Sequence, residues 1–313
     1  MGRLQHRPVF IIGSCGRPVG LESKVKLIDR ITNKPLPMIA DGAIGTRLLS
    51  DRKAPVARDR QLPCVELLNL TSPDLVSAVH RSYLAAGAEI LVTNSFCATS
   101  GHLARHGLAA KVDRINREAA ELARSAISAI KPSISFVLGS SGPLATSTGA
   151  QEQYAEQLRG LAAGGVDAFL FESVRSLAQL EAALSAAAEF PLIPVLTSLC
   201  PIDNSLGLTD GSLLDFVDLS VSRAVLALGI NCGDGNQLVY QALAAVRKHY
   251  KGPLMAMPSA GVPKMHEGRL SYPLAPEVWS GNFLAWHREF NLAIAGGCCG
   301  TTPLHIRALE QLR

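Results

Sequence analysis

The sequence predicts an α/β chain folded as a single (β/α)8 TIM barrel with a short N-terminal extension. Two observations carry that expectation. Eight short apolar runs recur, each followed by a helical stretch, and such runs suit strands buried on both faces of a parallel sheet. The polar residues that interrupt those runs fall almost always at the C-terminal end, where barrels of this class carry their active sites. A length of 313 residues suits one barrel. No Gly-x-Gly-x-x-Gly turn follows the first run, which argues against a doubly wound open sheet.

Residues 1–23 form the extension, in which two Arg-Pro-Val triplets flank Ile11-Ile12-Gly13-Ser14-Cys15-Gly16; neither it nor Cys15 is given a role. Residues 24–313 form the barrel, entered by a helix over 22–31. The first run, 36–40, ends in Asp41-Gly42-Ala43-Ile44-Gly45-Thr46. A helix from Ser72 as N-cap to Ala86 is stopped by Gly87. The second run, 89–92, ends in Thr93-Asn94-Ser95-Phe96. A helix over 110–130 precedes the third run, 135–138, and Gly139-Ser140-Ser141-Gly142-Pro143. Helix 151–163 leads to 167–171 and Glu172-Ser173, and helix 176–188 leads to 193–196 and Thr197-Ser198-Leu199-Cys200. Helix 211–221 leads to 225–230 and Asn231-Cys232-Gly233. Helix 236–249 leads to 253–257 and Pro258-Ser259-Ala260-Gly261. Helix 276–289 leads to 292–295, and a last helix spans 303–312.

Composition narrows the class of function. A chain 48% hydrophobic and 18% charged has a large core and is not disordered. The net charge of +4 is mild, and the most basic stretch, 51–60, mixes acids with its bases, as a solvated loop does and a nucleic-acid patch does not. With only 5% aromatic residues, stacking platforms for single strands are few. No apolar run approaches the roughly 20 residues of a membrane span, and 9–12 is too short for a signal-peptide core. Seven cysteines is an odd number without regular spacing, so reduced thiols in the cytoplasm are expected.

The cysteines also carry the chemistry. Cys232 ends the sixth run, and Cys298 and Cys299 end the eighth, within Gly296-Gly297-Cys298-Cys299-Gly300-Thr301-Thr302-Pro303. Thr302 reads as an N-cap and Pro303 as the first helical residue; the helix end beyond the thiols favours thiolates. Strands six and eight are separated by one neighbour, so their tips can share one metal ion. Three thiolates favour tetrahedral Zn2+ with the fourth position open. Cys64, Cys97 and Cys200 read as core or loop thiols, although Cys97 and Cys200 fall close enough to strand tips to leave the ligand set open. Asp41 and Glu172 put two carboxylates in one mouth. They suit either an acid/base pair for glycoside hydrolysis or, beside a thiolate-bound metal, an ammonium group. His80, His102, His106, His249 and His287 fall in helical segments and are expected at the surface; His305, in the first turn of the last helix, is a candidate supporting group.

Taken in order, Asp41–Thr46, Thr93–Phe96, Gly139–Pro143, Phe171-Glu172-Ser173, Gly229-Ile230-Asn231-Cys232 and Gly296–Pro303 resemble the homocysteine S-methyltransferase family, from about residue 24 to the end. The resemblance implies that Cys232, Cys298 and Cys299 hold zinc and that the sulfur of homocysteine takes the open position. It implies that Asp41, Gly42 and Glu172 surround the amino-acid end and that Thr93 and Asn94 line the pocket. The expected reaction is methyl transfer from an activated donor, giving methionine. The donor is a small molecule or a separate corrinoid protein, and neither nucleic acid nor membrane is an expected partner. Another thiol acceptor, or a non-catalytic zinc-binding subunit, is the alternative. Gln61-Leu62-Pro63-Cys64-Val65-Glu66 stands where many relatives using methylated sulfur donors carry a tryptophan-serine pair, which leaves the donor unread.

Overall fold

The computed structural model describes residues 21–33, 35–50, 64–130, 135–203, 205–266 and 269–313. Most of the extension, Cys15, the basic stretch 51–60 and Gln61–Pro63 therefore lie outside the described residues. Eight parallel strands form one sheet: β1 (Met38–Ile39), β2 (Ile90–Val92), β3 (Phe136–Ser141), β4 (Ala168–Val174), β5 (Val195–Leu199), β6 (Ala227–Cys232), β7 (Leu254–Pro258) and β10 (Leu292–Ala295). Between β7 and β10 stands an antiparallel hairpin of β8 (Lys264–His266) and β9 (Arg269–Ser271). The sheet order is β1-β10-β7-β6-β5-β4-β3-β2. A parallel bridge from Ala40 to Ile90 joins the outer two strands and closes the barrel. Two hydrogen bonds sew that seam: Glu89 N–H donates to the Ile39 carbonyl at 2.7 Å, and Asp41 N–H to the Ile90 carbonyl at 2.9 Å.

Alternation along each strand sorts side chains between two apolar layers. Met38, Ile90, Val92, Phe136, Leu138, Ala168, Leu170, Leu196, Ala227, Met255 and Ile294 fill the barrel interior, where Leu27 and Ile31 of the helix Leu21–Thr32 join them. Their odd-even neighbours, among them Ile39, Leu91, Val137, Phe169 and Leu228, pack outward under the helices. Continuing the inward parity towards the C-terminal end brings Ser140, Glu172, Ser198 and Asn231 into the top layer. The period of two thus determines which polar residues face one another.

The expected elements are present with shifted ends. β3, β4 and β5 each run three residues further towards the site than the apolar runs 135–138, 167–171 and 193–196, because a ladder continues through Ser and Gly when its partners do. The helix expected over 276–289 is two helices, Pro276–Ser280 and Phe283–Phe290, parted at Gly281-Asn282, both poor helix formers. Residues 262–275, between the seventh run and the helix expected from 276, contain the hairpin. Ser72 is the N-cap, but its side chain makes no capping bond. His80, expected at the surface, is 0% exposed. It lies on the face that buries Val76, Tyr83 and Leu84, and burial pushes its pKa down to about 4.

Candidate metal and substrate site

Three loops meet at the C-terminal rim, and backbone hydrogen bonds hold them together. Ser259 N–H donates to the Cys232 carbonyl at 3.0 Å, Cys298 N–H to Pro258 at 2.9 Å, and Ala260 N–H to Cys299 at 2.8 Å. The tip of β7 is thus the splint between the Cys232 and Cys298-Cys299 loops. Thr301 closes the last loop, its hydroxyl donating to the Cys298 carbonyl at 2.7 Å. Thr302 caps the helix Pro303–Glu310, with Pro303 in its first turn. His305 reinforces this corner: its ring Nδ1 accepts the Thr302 N–H at 3.2 Å and its Nε2 bonds to the Leu274 carbonyl at 3.0 Å.

The result is a cluster of three half-buried sulfurs. Cys232 Sγ lies 3.9 Å from Cys299 Sγ, and Cys298 Sγ lies 4.0 Å from Cys299 Sγ; all three fall within 4.8 Å of one another. Tetrahedral zinc with bonds of about 2.3 Å places its sulfurs about 3.8 Å apart, so the two shorter edges fit such an ion. Charge agrees. The Cys299 thiol is pulled down to about 3 by hydrogen bonds from Cys232 and Cys298, while Cys232, bonded to Cys200, Cys298 and Cys299, is pushed up. One thiol ionises at its neighbours' expense, and a cation is what allows all three to do so. Cys200, 3% exposed, hydrogen-bonds to Cys232 and is thereby lowered to about 6; Arg175 Nη2 approaches it at 3.6 Å. Cys200 nevertheless stands outside the three-sulfur cluster.

Beside the thiols are the two carboxylates. Asp41 is 1% exposed. Its Oδ2 accepts the Val92 N–H at 3.0 Å, whereas its buried Oδ1 has no protein partner. Burial holds its pKa well above the usual carboxylate range, and the neighbouring charge of Glu172 adds to this. Glu172 accepts the Ser140 hydroxyl at 2.5 Å on Oε1, and burial raises it to about 7. Two acids with raised pKa thus share one hollow, and one of their buried oxygens has no protein partner.

Asp41, Gly42, Thr93, Asn94, Glu172, Cys232, Cys298 and Cys299 all line one cavity of about 1110 Å3. Gly42 fits because a Cβ there would stand 2.5 Å from Thr301 Oγ1 and 3.0 Å from Tyr83. Thr93 and Asn94 contribute walls more than free donors. Thr93 Oγ1 accepts the Ser140 N–H at 2.9 Å, and Asn94 Nδ2 donates to the Val65 carbonyl and to Asn69 Oδ1, each at 2.9 Å.

Other lining residues were not singled out as site residues from the sequence: Cys64, Glu66, Cys97, His102, Arg105 and Arg175. Glu66 accepts the Cys97 N–H at 2.9 Å, and its isolation between Val65 and Leu67 was the available signal. Tyr272, just beyond the hairpin, lays its ring against Gly300, and its hydroxyl hydrogen-bonds to Cys299. Nothing in its sequence surroundings pointed there.

A closed parallel barrel with a three-thiol cluster that could hold a metal ion, and with paired acids at its C-terminal mouth, is the architecture of a barrel enzyme with its site at the strand ends. Residues 38–312 match the homocysteine S-methyltransferase family, and the chain belongs to that family of methyltransferases. It is 32% identical over 289 residues to methionine synthase of Mycobacterium leprae (strain TN), a match covering 86% of this chain and 24% of that protein. The figures for methionine synthase of Mycobacterium tuberculosis (strain ATCC 25618 / H37Rv) are 32% over 291 residues, 86% and 24%. The chain therefore spans about a quarter of the length of these curated relatives. Among solved structures, the metallated form of the homocysteine methyltransferase MmuM from Escherichia coli is similar at 25% identity and a TM-score of 0.74, over 90% of this chain and 98% of that one.

Proposed function

We propose that the chain transfers a methyl group from an activated donor to the sulfur of homocysteine, forming methionine, with Zn2+ held by Cys232, Cys298 and Cys299. The observation that carries this reading is the placement of the three-sulfur cluster and the unpartnered Asp41 Oδ1 in one cavity. When bound, Zn2+ lowers the pKa of a coordinated thiol, supplying a thiolate at neutral pH. The protein's own groups do the rest. Asp41 and Glu172 bind the acceptor's ammonium group, Gly42 gives its backbone close approach, and Thr93 and Asn94 shape the wall. With the acceptor fixed at both ends, the reaction is a single displacement: sulfur bonds to the methyl carbon as the donor's leaving group departs with the electron pair, and positioning is the main requirement.

A cavity of about 1110 Å3 exceeds what homocysteine fills and leaves room for the methyl-bearing part of a donor, whether a small molecule or a separate corrinoid protein. The six described cysteines are all free, in keeping with a reducing, cytoplasmic setting. The test is a donor panel with homocysteine and zinc-loaded protein, scored by methionine formed. Methionine formation that survives Cys232→Ala, or zinc content unchanged by it, would overturn the reading.

A further inference from the structure

Asn231, at the penultimate position of β6, is 0% exposed. Its Oδ1 accepts the Ser173 backbone N–H at 2.9 Å and the Ser198 hydroxyl at 2.8 Å. Its Nδ2 donates to the Ser173 hydroxyl at 2.9 Å and to Cys298 Sγ at 3.8 Å. Two acceptor sites and two hydrogens are the amide's whole capacity. The orientation is fixed as well, because a backbone N–H can only donate to the oxygen.

The amide sits between two unusual backbone positions. Ser173, next to Glu172, has φ +58°, and Cys232, next to Asn231 itself, has φ +62°. Both are left-handed conformations that side chains other than glycine adopt uncommonly. At Ser173 the ladder between β4 and β5 breaks register, between Phe171 and Val174. The regular sheet therefore does not hold the residue that follows Glu172; the Asn231 amide does, by gripping its N–H and its hydroxyl together. The same amide gives its remaining hydrogen to a sulfur of the cluster.

We propose that Asn231 is a positioning residue that fixes the distance between the Glu172 carboxylate and the three-thiol cluster, and with it the length of acceptor that can span them. The inference rests on the reading of those two features as the ammonium and metal sites. Replacing the amide alone leaves the Ser173 N–H and the Ser198 hydroxyl buried without their acceptor, so a loss of thermal stability follows from any role of Asn231 and does not distinguish one role from another. A hydrogen bond to a metal-bound sulfur instead governs metal affinity.

The test compares the 313-residue chain with Asn231→Ala, Ser173→Gly, their double variant, Asn231→Asp and Ser198→Ala. Readouts are Zn2+ affinity by competition with a chromophoric chelator, the thermal midpoint, and KM against kcat for homocysteine. Asn231→Ala is expected to weaken Zn2+ binding about 10- to 100-fold and to raise KM more than it lowers kcat. Ser173→Gly tolerates the left-handed backbone unaided, so the double variant regains thermal stability without regaining Zn2+ affinity. Ser198→Ala lowers the thermal midpoint alone. Asn231→Asp keeps an acceptor for Ser173 but loses the donor to Cys298, and is expected to bind Zn2+ as weakly as Asn231→Ala; it decides the matter if Asn231→Ala does not fold. Wild-type Zn2+ affinity in Asn231→Asp, or its full recovery in the double variant, overturns the proposal. Unchanged zinc binding in Cys232→Ala would instead overturn the metal reading, whatever Asn231 does.

Discussion

Cys232 and Cys299, 67 residues apart in the chain, hold their sulfurs 3.9 Å from each other. Neither loop accounts for that approach alone. The tip of β7 makes it, through Ser259 N–H to Cys232 and Ala260 N–H to Cys299. If these sulfurs are metal ligands, wild-type protein binds one zinc per chain, and Cys232→Ala, Cys298→Ala and Cys299→Ala each lose it together with activity. Losses should exceed the roughly 100-fold that removing a supporting partner costs. Metal analysis of purified variants checks this, and full activity in either Cys298→Ala or Cys299→Ala would defeat it.

The carboxylates should act on the acceptor and not on the metal. Asp41→Asn and Glu172→Gln are each expected to raise the homocysteine KM by about 30-fold or more, the effect of removing one partner of a buried charge pair. Zinc content should stay at the wild-type level. Steady-state kinetics with the acceptor varied, alongside metal analysis, separate the two effects.

Glu172 gives a pH dependence with a definite sign. Its folded pKa, about 7, lies above its ordinary value of 4.5, so the folded state holds this proton more tightly than the unfolded state does. The contribution to stability is complete below about pH 4.5 and is lost as pH rises through about 7. Ligand-free protein should show that slope in urea unfolding, and Glu172→Gln should flatten it. Acceptor binding runs the opposite way, strengthening as pH rises through about 7, because an ammonium group needs the ionised carboxylate.

Gly300→Ala is expected to be more damaging than Gly107→Ala. Both glycines have positive φ, +79° and +68°, and both substitutions carry the backbone cost of order 1 kcal/mol. A Cβ at Gly107 meets nothing within 4 Å, whereas at Gly300 it would run into the Tyr272 ring. Gly300→Ala should lower both the thermal midpoint and the zinc affinity, and Gly107→Ala the midpoint alone.

The barrel was legible because burial on both faces leaves unbroken apolar runs, and because polar residues interrupt them at one end. The same regularity exposed Asp41, Glu172, Cys232, Cys298 and Cys299. What stayed hidden depends on contacts between distant segments. Nothing near Tyr272 shows that its hydroxyl reaches Cys299, and nothing near Cys200 shows that it hydrogen-bonds to Cys232. His80 is a different case: its spacing from Val76 and Tyr83 places it on the buried face, where position along the helix outweighs polarity.

The closing seam of the barrel has a consequence for how ligand binding could be observed. β1 is two residues long, and beyond the Ala40–Ile90 bridge the join is continued by a side chain, Asp41 Oδ2 receiving the Val92 N–H. The carboxylate that would receive the acceptor's ammonium group is therefore also a stitch between the first and last strands of the sheet. Anything that steadies Asp41 steadies that join. In deuterated solvent the Val92 amide should exchange more slowly once the acceptor is bound, and Asp41→Asn should abolish the difference, making one amide proton a reporter of occupancy that needs no turnover.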